Sequence, residues 1–135
     1  MIAAVVLDMD GLLIDTEPVW RDAQKEVFAG LGVELTEADR LGLDIGIRCS
    51  ALDEPHGKPA PDVYLAAARR LALRPARCLA VEDAPAGVVA AKAAGMTCLA
   101  VPDPLLAGDP RYRRADLVLP SLTEMDEPTL RRLMT

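Results

Sequence analysis

The sequence predicts an α/β fold, a Rossmann-like parallel sheet with helices on both faces. Three observations predict it. Residues 2–7, IAAVVL, form a short apolar run without alternation, the pattern of a strand covered on both faces. Further apolar strands alternate with helical segments, and the order strand–helix–strand argues parallel strands joined by right-handed crossovers. Acidic residues stand at the strand ends, Asp8 and Asp10 after the first and Glu82 and Asp83 after a later one. In such sheets that is where ligands bind.

Each element has its own signal. Residues 18–30, PVWRDAQKEVFAG, open with Pro18 and stop at Gly30, and Val19, Ala23 and Val27 share a face at i, i+4 spacing. Thr36–Asp39 reads as the start of another helix, which barely begins before Gly42. Residues 45–50, IGIRCS, are expected to be a short strand, and DEPHGKPAPD at 53–62 a loop punctuated by Pro and Gly. A helix is expected over 61–72, with Pro61 at its first position. The strand CLAVE follows at 78–82. A second helix is expected from Asp83 to Ala94, with Gly95 as its stop. TCLAV at 97–101 and DLVLP at 116–120 read as strands, and the tail 121–133 as helix.

Composition narrows the function classes. A chain of 135 residues suits one domain, and 51% hydrophobic with 27% charged residues suits a packed core. Only 3% is aromatic, so Ala, Val, Leu and Ile must fill that core. A net charge of −6 argues against a nucleic-acid partner, whose phosphates need clustered Lys and Arg. No run approaches the roughly 20 apolar residues of a membrane helix, so no membrane partner is expected. The start of the chain lacks the basic segment of a signal peptide. Cys49, Cys78 and Cys98 show no paired spacing and read as small buried hydrophobes in a reducing, cytoplasmic setting.

The stretch DMDGLLIDTE at 8–17 poses the main chemical question. One reading is a turn, since Asp-Gly is a common turn pair. The other is a site where a carboxylate attacks, helped by a metal. If strands 2–7 and 78–82 are neighbours, their ends lie about 4.8 Å apart, and Asp8, Asp10, Glu82 and Asp83 crowd one volume. Carboxylates at that range raise each other's pKa unless a cation sits among them. Oxygen ligands favour Mg²⁺, which takes one or two carboxylates plus a substrate phosphate. Lys58 reaches the same rim as a point charge for a phosphoryl oxygen. These parts suit phosphoryl transfer to a carboxylate nucleophile, with a second carboxylate moving protons and Gly11 turning the chain away.

DMDGLLIDTE, GKPAPDVY and CLAVEDAPAGVVAAKAAGM together resemble the haloacid dehalogenase superfamily, and more narrowly its β-phosphoglucomutase-like phosphatases. The resemblance covers residues 1–36 and about 50–120. It implies that Asp8 is the nucleophile and Asp10 the general acid/base, that Lys58 steadies the phosphoryl group, and that Asp83 binds Mg²⁺ with Glu82 beside it. The backbone carbonyl of Asp10 is a further implied ligand.

The chain departs from that family in two places. The family's strand ending in Ser or Thr, which binds the phosphoryl group, has no counterpart; Ser50 is the candidate substitute. The helical cap is cut to a remnant over 15–42 within a single core domain spanning 1–135. In the family the lost strand lies beside the first. Three outcomes are open: strand 45–50 slides in beside strand 2–7, it stays displaced, or a second chain fills the gap and makes a homo-oligomer. The function expected is a Mg²⁺-dependent phosphatase of small phosphorylated metabolites resembling sugar phosphates. It works through an aspartyl-phosphate and is impaired by truncation. The alternative is a catalytically inactive remnant that binds Mg²⁺ and phosphate or self-associates.

Overall fold

The computed structural model describes residues 1–8, 47 and 49–134. Its four strands are β1 (Ala4–Leu7), β2 (Cys78–Glu82), β3 (Thr97–Ala100) and β4 (Leu117–Val118). Its α-helices are α1 (Asp62–Arg70), α2 (Pro85–Ala93) and α3 (Glu127–Met134). The strands form one parallel sheet in the order β1-β2-β3-β4. The expected adjacency of the first strand and CLAVE is therefore present, with Ala4 opposite Cys78 and Leu7 opposite Val81.

Strand order decides where the helices go. The sheet grows in one direction, so successive right-handed crossovers fall on one face. That face holds Cys78, Ala80, Cys98 and Ala100, packed with Tyr64 and Ala68 of α1, with Val88, Ala90 and Ala91 of α2, and with Tyr112. Small strand residues there let the helices come close. The alternate residues Leu79, Val81 and Leu99 point to the other face, where Ile2, Leu119, Leu122, Met125 and Leu133 cover them. The C-terminal segment thus supplies the second layer. The alternation follows from the period of two along a strand.

Both core helices end in the same way. At the end of α2, Met96 N–H donates to Ala91 O and Gly95 N–H to Lys92 O, with Gly95 at φ +81°. This is a Schellman stop, as the sequence expects of Gly95. At the end of α1, Leu73 N–H donates to Ala68 O and Ala72 N–H to Arg69 O. There a non-glycine residue, Ala72, takes φ 53°.

The boundaries depart from expectation in several places; the tail expected as helix over 121–133 is a 3₁₀ turn at Leu122–Glu124 followed by α3, and the strand expected over 116–120 is confined to Leu117–Val118. Helix α2 begins at Pro85 with Ala84 as its cap residue, so Asp83 lies ahead of the helix; proline at the first position fixes the start. Ile47, Cys49 and Ser50 belong to no strand. The Ser50 side chain instead accepts from Leu52 N–H and opens a 3₁₀ turn over Ala51–Asp53. Helix α1 starts at Asp62, one residue after the expected position. The expected helix at 18–30 and the cap remnant at 15–42 lie outside the described residues. Among the described residues no helix is long and apolar enough to cross a membrane.

Candidate active site

The β1–β2 register builds the site. Asp8 follows Leu7 directly, and its N–H donates to Val81 O at 3.1 Å. That extends the ladder by one step and sets Asp8 beside Glu82. Glu82 closes β2 and is 0% exposed. It shares its face of the strand with Cys78 and Ala80, so its side chain runs beneath α2. Asp83 follows, and its carbonyl accepts hydrogen bonds from Asp103 N–H and from the Tyr112 hydroxyl.

Lys58 joins these carboxylates from the loop before α1. Its Nζ donates to Asp8 Oδ2 at 2.8 Å and to Glu82 Oε1 at 2.6 Å. The same Nζ stands 5.4 Å from the centre of the Tyr64 ring, within cation–π range. Burial works against the Lys58 charge, but Glu82 and Asp8 outweigh it and hold its pKa above the usual value. Lys58 is therefore a fixed cation.

The two carboxyls behind it are displaced upward. Burial pushes Glu82 up to about 8; Lys58 opposes this and Asp8 adds to it. Burial also raises Asp83, with Asp8 contributing. Both shifts say that negative charge is in excess here for the solvation available.

Carboxylate oxygens of Asp8, Glu82 and Asp83 lie within 4.8 Å of one another. Glu82 Oε2 is buried and has no hydrogen-bond partner among the described residues. An all-oxygen donor set with an orphaned carboxylate oxygen fits a hard divalent cation such as Mg²⁺.

Of the other residues singled out from sequence, Asp10 and Gly11 lie outside the described residues. Ser50 is exposed, and its hydroxyl serves the cap of the 3₁₀ turn. In the loop that carries Lys58, His56 is exposed, and its Nδ1 lies 3.1 Å from Asp62 Oδ1. Three neighbours of the site escaped sequence reasoning: Tyr64 under Lys58, Tyr112 on the Asp83 carbonyl, and Gly87 against Glu82. Tyr64 had a local signal, since it ends the stretch GKPAPDVY. Tyr112 is 29 residues from Asp83 and had none.

A family profile described as haloacid dehalogenase-like hydrolase matches residues 34–95, which span Lys58, Glu82 and Asp83. The chain carries a haloacid dehalogenase-like hydrolase domain. Curated relatives agree with this. Hexitol phosphatase B of Escherichia coli is 29% identical over 209 residues, covering 92% of this chain and 94% of the relative. Those 209 residues exceed the 135 of this chain, so part of the relative's interior has no counterpart in this hydrolase domain. Fructose-1-phosphate phosphatase YqaB of E. coli is 35% identical over 95 residues, 66% of this chain and 50% of the relative. Among solved structures, CbbY from Rhodobacter sphaeroides in complex with phosphate superimposes with TM-score 0.69. It covers 92% of this chain and 96% of that one at 22% identity, a likeness of fold.

Proposed function

We propose that this chain is a Mg²⁺-dependent phosphatase of small phosphomonoesters, with sugar phosphates as its substrate class. The observation that carries the reading is the meeting of Lys58 with both Asp8 and Glu82 at the carboxyl ends of β1 and β2. One residue supplies a nucleophile and another a fixed cation, beside a cluster of carboxylates suited to a metal. The names of the phosphatase relatives support the substrate class.

In this reading the Asp8 carboxylate attacks phosphorus and the ester oxygen leaves. Asp10 gives that oxygen a proton, then takes one from the water that cleaves the acyl phosphate on Asp8. Lys58 neutralises charge on the transferred group. Asp8, Glu82, Asp83 and the Asp10 carbonyl would hold Mg²⁺, which when bound supplies Lewis-acid stabilisation of the phosphoryl oxygens. Ser50 is left out of this reading: it is exposed, and its hydroxyl oxygen accepts from Leu52 N–H in the turn it opens.

A second reading, an inactive remnant that self-associates, has one observation in its favour. Among the described residues β1 pairs only with β2, and Val5 and Leu7 are 53% and 39% exposed. Hydrolysis of p-nitrophenyl phosphate with Mg²⁺, with chelator, and by Asp8→Asn separates the two. Turnover that requires both Mg²⁺ and Asp8 is expected. A folded protein without turnover, whose sedimentation shows concentration-dependent dimers, would establish the remnant instead.

A further inference from the structure

We infer that Gly87 is a positioning residue for Glu82: its missing side chain is the space in which the Glu82 carboxylate sits. The inference rests on the metal-site reading above for its functional consequence, but its steric part stands alone.

The argument starts from the strand. Every other residue of β2 on the helix face is small, Cys78 then Ala80, and both are fully buried under α1 and α2. The next residue in that series is Glu82, several atoms longer and also 0% exposed. A layer spaced for Ala and Cys has no room for it unless the helix yields. Helix α2 yields at one point. A Cβ built on Gly87 would overlap Oε2, Cδ and Oε1 of Glu82, all three carboxylate atoms at once. Gly57, Gly95 and Gly108 would each meet nothing within 4 Å, so among the described glycines the overlap is particular to Gly87.

Backbone conformation does not explain this glycine. It lies in the first turn of α2, with no positive φ, where Ala would be the better helix former by about 1 kcal/mol. What Gly87 supplies is volume. With that volume free, Glu82 turns Oε1 to Lys58 and leaves Oε2 without a partner among the described residues, available to a cation. An alanine would drive the carboxylate toward Lys58 and Asp8 or push α2 off the sheet. The first disturbs the donor set and the second the core.

The test is a four-member cycle in urea with chelator present: parent, Gly87→Ala, Glu82→Ala, and both together. Positioning predicts that Gly87→Ala destabilises the parent but costs nothing, or stabilises, where Glu82 has been shortened. Equal cost in both backgrounds would overturn the inference and make Gly87 a helix–sheet packing residue only. Should Gly87→Ala alone fail to fold, a folded double variant supports the inference and an unfolded one overturns it. Calorimetric titration with Mg²⁺ reads the function: Gly87→Ala is expected to weaken binding about 10- to 100-fold, the range for residues that orient a ligand. Unchanged Mg²⁺ affinity in Gly87→Ala would also overturn the positioning role. A parent that takes up no Mg²⁺ would remove the metal reading, while the urea cycle still decides the steric one.

Discussion

Lys58 Nζ lies 2.6 Å from Oε1 of Glu82, the one fully buried charged side chain among the described residues. The pair ties a loop cation to the end of a core strand. On the proposed function, replacing Lys58 by Met removes the positive charge that would face the transferred phosphoryl group. We expect kcat on p-nitrophenyl phosphate to fall about 10²- to 10³-fold, the scale of losing one transition-state donor. Steady-state kinetics of the folded variant checks it.

The pH dependence of stability follows from Glu82. Its folded pKa of about 8 lies above the ordinary 4.5, so between those values the folded state holds a proton that the unfolded state has released. Stability is then full below pH 4.5 and declines as pH rises toward 8. The slope is at most about 1.4 kcal/mol per pH unit. Asp83, also raised, adds in the same direction. Urea unfolding in chelator across this range should show the decline, and Glu82→Gln should flatten it.

Mg²⁺ should reverse that decline by binding the folded state alone. At 100 times its dissociation constant, it stabilises by about 2.7 kcal/mol. Asp83→Asn removes one of the three clustered carboxylates and should abolish most of the effect. Thermal unfolding of both proteins with and without Mg²⁺ reads the difference. An equal shift in the variant would place the ion elsewhere.

Ala72 holds φ 53° in the stop of α1, a conformation that costs an L-residue about 1–2 kcal/mol. The loss of backbone freedom on introducing glycine offsets part of this. Ala72→Gly is expected to raise stability by about 1 kcal/mol with kinetics unchanged, measurable as a shift in the urea midpoint.

The parts legible in the sequence were those with local causes. β1 and β2 announced themselves as apolar runs, Gly95 as a helix stop, Asp8, Glu82 and Asp83 as chemistry at strand ends, and Lys58 as a loop cation. The convergence of the three carboxylates needed only the neighbouring of two strands, and Lys58 joins them from the loop before α1. What escaped depends on contacts made across the chain. Tyr112 reaches Asp83 from the segment after β3. Gly87 reads locally as an unremarkable helical glycine until the side chain it faces is known. The strand expected at 45–50 failed at Ser50, where a side-chain cap to Leu52 competes with a ladder that apolar composition alone had suggested.

The register Leu7 opposite Val81 joins positions 74 residues apart in the chain with no reference to what lies between them. Asp8 meets Glu82 because two strands share a ladder, and Lys58 joins from the loop that leads into α1. The spacing of these two carboxylates is thus set by the sheet and not by the length of chain that separates them. Chain length between Gly11 and Lys58 can then vary without re-spacing Asp8 and Glu82, which is what a scaffold for grafting new segments requires.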